Sequence, residues 1–415
     1  MNKRLVTLLF TFLLGTPMLA SAQGTGVTLF GRVQTEYFST KIDQASGGAS
    51  DYRQEAIADN QDTSRWGLAI TEDLGNGLSA NARIEFSFRT GNGVAEGARE
   101  QWVGLSSKQW GALQFGRING IFKDFAGGAT LDPFVGTSLQ ARSTGGAMYS
   151  PLSSFGLGGF VDHAIRYNSP EFGGGFTAAV LLSPSDATQA DPTTGTPAAN
   201  GGNVGGRGGA NNYQLALKYK FGPAGDVFVG YSQDDANNAQ RSAPAVNGRL
   251  ADDEQVWRIG GAWNYGNFRL AGQYENIKNA LAGNGGTTCD AGSSSGGNDA
   301  GISTVQCNTA LNTNGDGDIF FLTLQYKLGK TTLVAQGGQT NADAIDTSVK
   351  RKATNITLGA IYNFSKRTRV YGGYQKVDID GGRDIANTPN STQQQVSAAV
   401  QPDRSTWVVG LRHDF

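Results

Sequence analysis

Few residues in this chain of 415 could make or break bonds, since it holds only two His and two Cys. His163 and His413 serve no Gly-x-Ser-x-Gly elbow, so a nucleophile motif of the hydrolase kind is missing and no catalysis is expected. Cys289 and Cys307 lie in one Gly- and Ser-rich stretch without a nearby His, which does not complete a zinc set. In an exported chain their expected state is a disulfide, worth roughly 3 kcal/mol in the loop-entropy model. Asn314 to Asp318 resembles part of a calcium loop but lacks the Glu at the twelfth position, so a solvated turn is expected and no cofactor is implied. What remains is arginine. A guanidinium stays charged and is weakly hydrated, so several can persist close together where lysines would lose protons, and rings of charge are how wide pores select ions.

Arginine can act in that way only if the chain holds it against water inside a wall. Lys and Arg number 34 against 35 Asp and Glu, a net charge of −1, which excludes a strongly basic nucleic-acid binder. Gly reaches 60 residues, roughly twice ordinary usage, yet follows no collagen period. Residues 1–22 carry Lys3 and Arg4, an apolar run from Leu5 to Leu14, and Ala20-Ser21-Ala22, the pattern of a secretory signal cut after Ala22. Residues 23–415 would then form one domain. Within it the dominant period is two. Leu78, Ala80, Ala82, Ile84, Phe86 and Phe88 alternate with Ser79, Asn81, Arg83, Glu85, Ser87 and Arg89, a strand with one apolar and one wet face.

The connections come in two kinds. Seven are brief: Glu72 to Gly77, Lys108 to Gly111, Ser169 to Gly175, Gly222 to Gly225, Tyr265 to Asn267, Leu328 to Lys330 and Phe364 to Arg367. Eight are long and polar, near 40–62, 90–98, 118–160, 183–211, 234–254, 277–317, 341–353 and 378–404. Strict alternation of the two kinds predicts sixteen antiparallel strands. All long excursions then fall at one end, which suits a transmembrane β-barrel with short periplasmic turns and long external loops. Closure removes exposed sheet edges, and sixteen strands leave an aqueous channel rather than a packed interior. Aromatics near strand ends, such as Tyr37 with Phe38, Trp263 with Tyr265 and Tyr362 with Phe364, are expected in interfacial girdles. Parity turns Arg32, Arg65 and Arg83 away from their apolar neighbours and toward the lumen.

Several segments together resemble the Gram-negative general porins: Leu29-Phe30-Gly31-Arg32, Ser64-Arg65-Trp66-Gly67, Val103-Gly104-Leu105, Phe115-Gly116-Arg117, Ile165 to Phe172, and the terminal Val409 to Phe415. The resemblance runs over essentially the whole mature chain and rests on the order of these pieces. It implies a homotrimer in the outer membrane, in contact with lipid and lipopolysaccharide, through which small hydrophilic solutes and ions diffuse passively. It also implies a third external loop, here 118–160, folded into the barrel so that its acids face basic side chains on the wall. On that pattern the constriction consists of Arg32, Arg65, Arg83 and Arg117 with Asp124 and Asp132, while Lys123 and Arg142 depart from a purely acidic loop. Arg117 shares parity with Leu113 and Phe115, and reaches the lumen only if a bend at Gly116 rotates it.

Basic residues outnumber acids on the inward parity. Arg32, Arg65, Arg83, Arg166, Lys218, Lys220, Arg269, Lys327, Arg369 and Arg412 stand against Glu36, Glu85, Glu275 and Asp414. Focusing is strongest at the narrowest point, so a mild anion preference is expected. Lys350-Arg351-Lys352, in the seventh loop, is expected to be a solvated face, the other reading being contact with lipopolysaccharide phosphates. A substrate-specific channel is the alternative function and would need a line of lumenal aromatics, for which Phe30, Phe228 and Phe321 have the parity.

Overall fold

The computed structural model describes residues 23–43, 52–59, 63–91, 97–141, 159–184, 211–235, 252–280, 315–343, 350–380 and 403–415. The expected signal segment, Arg142, Cys289, Cys307 and Asn314 lie outside them. Period-two sequence becomes strand throughout: β1 (Gln23–Asp43), β2 (Tyr52–Ala58), β3 (Arg65–Gly75), β4 (Leu78–Ser87), β5 (Gly97–Ser107), β6 (Gly111–Asn119), β7 (Phe160–Asn168), β8 (Phe176–Pro184) and β9 (Asn211–Lys220). The series continues with β10 (Gly225–Asp234), β11 (Glu254–Tyr265), β12 (Phe268–Ala280), β13 (Gly315–Leu328), β14 (Thr331–Asp343), β15 (Lys350–Asn363), β16 (Thr368–Asp380) and β17 (Asp403–Asp414). Among the described residues the helices are short, and none is long and apolar enough to cross a membrane.

Neighbouring strands pair antiparallel in chain order, and β1 pairs with β17 from Arg32 opposite Asp414 to Asp43 opposite Asp403. That last pairing closes the sheet into a barrel. Both β2 and β3 pair with β1, through Tyr37 opposite Ile57 and Leu29 opposite Leu68, so the two pieces share one place in the wall and the barrel has sixteen positions. Between them the chain leaves the ladder at Asp59, whose carboxylate accepts from the Ser64 amide and, at 3.2 Å, from the Thr63 hydroxyl.

The brief connections stand where the sequence puts them. Asn76 and Gly77 have φ of 54° and 76°, the left-handed pair of a two-residue hairpin whose twist matches its strands. Strands run further than the alternation does at the opposite end. Tyr52–Ala58 is strand inside the expected first loop, Gly315 to Asp318 opens β13 instead of forming a turn, and Lys350–Lys352 opens β15. Where the wall rises out of the hydrocarbon both faces are wet, so the apolar alternation stops while the backbone ladder continues.

The outer face is apolar and uncovered, with Val27 and Leu29 each 60% exposed and Val103 58%. Aromatic pairs mark both rims, including Phe268 with Tyr326 at 4.6 Å and Tyr362 with Phe364 at 5.0 Å at the short-turn end. Toward the other end Tyr231 lies 4.6 Å from Trp257. Phe38 corrects the girdle reading: it is buried on the inner side, next to the outward Tyr37. His413 is exposed near the short-turn rim, where Nδ1 and the Thr368 hydroxyl share a hydrogen bond at 2.9 Å.

Candidate functional site

After β6 the chain turns into the barrel instead of away from it. A single turn, α1 (Ile121–Asp124), is followed by a loop as far as Ala141, and its Ile121, Phe122, Phe134 and Leu139 are fully buried. Such a loop needs partners for every backbone group it takes out of water. Gln214 on β9 accepts from the Ile121 amide at 2.7 Å, and Gln273 on β12 accepts from the Gly128 amide at 2.8 Å. Arg258 on β11 donates to the carbonyls of Phe122 and Ala126, the latter at 2.8 Å, and is held by Glu275 at 2.9 Å with both side chains shut off from solvent. Further on, Gln336 and Gln375 donate to the Leu139 carbonyl at 3.1 and 3.0 Å. Glu36 on β1 accepts from the Ser138 amide at 3.0 Å and from the Tyr371 hydroxyl at 2.8 Å.

Glycines on the inner wall make room for this loop. A Cβ on Gly230 would sit 2.6 Å from the Phe122 ring, one on Gly359 2.7 Å from Phe134, and one on Gly373 3.0 Å from Leu139. The loop is therefore seated on the β9–β16 side and β1, which leaves the β3–β6 side as the facing wall.

That wall carries the arginines. Glu85 is shared by Arg83 at 2.6 Å, Arg99 at 2.5 Å and Arg65 at 3.6 Å, and Arg83 also meets Glu100 at 2.9 Å while lying over the Phe30 ring at 4.1 Å. Arg32 opposes Arg65 directly across β1 and β3. Two like charges so placed repel, and each is drawn to a different acid. Arg32 turns to Asp414 at 2.8 Å, which also holds Arg412 at 3.0 Å and Arg369 at 3.6 Å. Arg117 pairs with Asp162, and its guanidinium lies 5.1 Å from the Phe160 ring centre. The same ring is met by Arg99 at 5.1 Å and by the Lys123 ammonium, borne on the loop, at 3.4 Å.

Two β-bulges produce this crowding. Between Ile84 and Phe86 the register with β5 shifts, so Arg99 and Glu100 both answer to Glu85. Between Gly116 and Ile118 the register with β7 shifts as well, with Gly116 at φ 136°, and Arg117 turns inward although Phe115 remains 43% exposed on the outer face. A bulge adds one residue to a strand and re-aims the side chains around it. Strict parity therefore misses Arg99 and leaves Arg117 ambiguous.

The two loop acids are engaged elsewhere. Asp124 pairs with Arg166 on β7 at 2.8 Å, and the buried Asp132 accepts from the loop's own amides of Phe134 at 2.9 Å and Ala141 at 2.6 Å. Where the loop meets the β3–β7 wall five cations, Arg65, Arg83, Arg99, Arg117 and Lys123, cluster with three carboxylates, Glu85, Glu100 and Asp162. Phe228 and Phe321 do point inward but are buried, at 4% and 0% exposure, so they offer no open aromatic track. Among the described residues no group of three or more His, Cys, Asp or Glu is placed to hold a metal ion.

The family model described as Gram-negative porin matches residues 9–382. This chain belongs to the Gram-negative porin family. As a porin it is a water-filled channel of the outer membrane through which solutes diffuse passively. An outer membrane porin protein of Bordetella pertussis is 29% identical over 398 residues, covering 89% of this porin and 94% of the relative. Outer membrane porin protein 32 of Delftia acidovorans is 28% identical over 440 residues, with both chains wholly covered. Among solved structures, the anion-selective porin from Comamonas acidovorans matches with a TM-score of 0.63 at 21% identity, covering 94% of this porin and 100% of that chain. A trimer form of OmpT from Vibrio cholerae matches with a TM-score of 0.55 at 15% identity, covering 95% and 100%.

Proposed function

We propose that this porin conducts small hydrophilic solutes and ions with a mild preference for anions. The observation that carries the reading is the surplus of cations, five against three carboxylates, where the infolded loop faces the β3–β6 wall. Field is focused at a narrow point between low-permittivity walls, so a local surplus outweighs acids out on the loops. In this reading Arg65, Arg83 and Arg117 line the passage and Arg32 extends it toward Arg412 and Arg369. Asp124 and Asp132 shape the loop, the one through Arg166 and the other through the loop backbone. The solved porin of Comamonas acidovorans, anion-selective by name, has the same fold and supports the direction of the preference. We further propose removal of residues 1–22 on export, a disulfide between Cys289 and Cys307, and assembly as a homotrimer, for which the trimer form of OmpT is the structural precedent.

The test is the zero-current potential of purified protein in a planar bilayer across a salt gradient. Its sign gives the preferred ion, and preference for the cation would overturn the proposal. Saturable block by one solute would favour a substrate-specific channel instead.

A further inference from the structure

Lys123 is the cation of the passage that the wall does not supply. It belongs to α1 on the infolded loop, and its side chain is partly exposed. Its ammonium stands 3.4 Å above the Phe160 ring, on which Arg99 and Arg117 also converge. Every other cation here has a carboxylate: Arg65, Arg83 and Arg99 have Glu85, and Arg117 has Asp162. Among the described residues no carboxylate is within ion-pair reach of Lys123, because Glu100 is held by Arg83 and Asp124 by Arg166. An ammonium with only a ring face for a partner keeps its field for whatever passes. It is also the one member of the group that is not a guanidinium, and so the one that gives up its proton readily.

We propose that Lys123 is a specificity-determining residue of this channel, a loop-borne ammonium that strengthens anion preference when protonated and relinquishes it when neutral. The inference rests on the anion-preferring reading above. The groups around the ammonium are Arg99 and Glu100 from β5, Arg65 from β3, Arg117 from β6 with Asp162 from β7, and Asp124 from its own turn. Burial, and then the like charges of Arg99 and Arg65, hold Lys123 well below the usual lysine range, and Glu100 and Asp124 oppose them more weakly. Charge on Lys123 is thus present on the acid side of a step that falls below ordinary lysine titration near pH 10.4 and is lost as pH rises through it.

The experiment measures the anion-to-cation permeability ratio from zero-current potentials between about pH 4 and 11 for wild type, Lys123→Arg and Lys123→Met. The wild type should show a step of about threefold in 0.1 M salt, because one unit charge about 7 Å from the ion path in water acts oppositely on anion and cation and is screened by about half. Lys123→Arg should keep the high ratio through that range, and Lys123→Met should show the low ratio throughout. All three retain the rise below pH 5 that comes from protonating carboxylates, which separates that effect from the lysine step. Each variant is first shown to be folded by heat-modifiable migration in detergent. An anion-preferring wild type whose step survives in both variants, or which has no step, overturns this inference and leaves the general reading intact. A cation-preferring wild type overturns the general reading.

Discussion

Gly230 tests how the loop is held, because a side chain there would strike the loop alone. Its virtual Cβ lies 2.6 Å from Phe122 Cε1, 3.2 Å from Cζ and 3.5 Å from the Ala126 methyl, with no wall backbone among these nearest atoms. Carbon contacts settle near 3.5 to 4.0 Å, so Gly230→Ala asks the ring to retreat by about 1 Å. The retreat is resisted by Arg258, which grips the Phe122 and Ala126 carbonyls on either side, the second at 2.8 Å. Overpacking costs about 1–3 kcal/mol, and loss of a hydrogen bond to a charged group adds about 1.5–3 kcal/mol. The sum for Ala is about 2.5–6 kcal/mol. Gly230→Val removes Phe122 from its seat altogether, and adds about 1.5–3 kcal/mol for the unburied ring. The wall itself gains a residue that suits a strand, by up to about 1 kcal/mol. The cost to the seated loop exceeds the gain in the wall, so thermal unfolding followed by loss of β-sheet circular dichroism should come earlier in both variants, while single-channel records show reduced mean conductance and flicker that grows from Ala to Val. Wild-type conductance and noise in both variants would refute the view that the loop is seated by this glycine notch.

Removing the shared carboxylate by Glu85→Gln leaves Arg65, Arg83 and Arg99 with one negative charge fewer, and should raise the anion-to-cation permeability ratio about threefold in 0.1 M salt, less in 1 M salt where screening shortens to about 3 Å. An unchanged zero-current potential would place Glu85 outside the ion path. Arg258→Met strands a buried Glu275 and should cost about 3–5 kcal/mol in urea unfolding, with Arg258→Met/Glu275→Gln recovering much of the loss; equal costs for the single and double variants would show that the ion pair is not what stabilises this site.

How much of this was legible in the residues depends on which force sets each part. Strand identity, turn positions and barrel closure follow from the alternation of apolar and polar residues and from turns such as Asn76-Gly77, both local and repeated along the chain. Strand ends depart from the sequence pattern at Tyr52–Ala58 and Gly315 to Asp318, because backbone pairing outlasts the bilayer that writes the alternation. Parity turns Arg65 and Arg83 toward Glu85 and does not reach Arg99, since the bulge opposite Glu85 breaks the alternation at that point. Arg258 carries no mark of its role beyond standing between Trp257 and Ile259 on an alternating strand. Its task depends on carbonyls more than 130 positions away in the chain, a relation that no local pattern records.

The seam between the first and last strands governs how this wall can come into being. Gly31 and Phe415 exchange two backbone hydrogen bonds of 3.0 Å, so the tail of the polypeptide is the latch of the cylinder. Until that tail arrives, every partly paired intermediate is an open ribbon with two hungry margins, prone to zip onto another copy. Biogenesis must accordingly be a single late snap preceded by guarded transport, and a chain clipped of its final dozen residues would reach the membrane as an unsealed sheet.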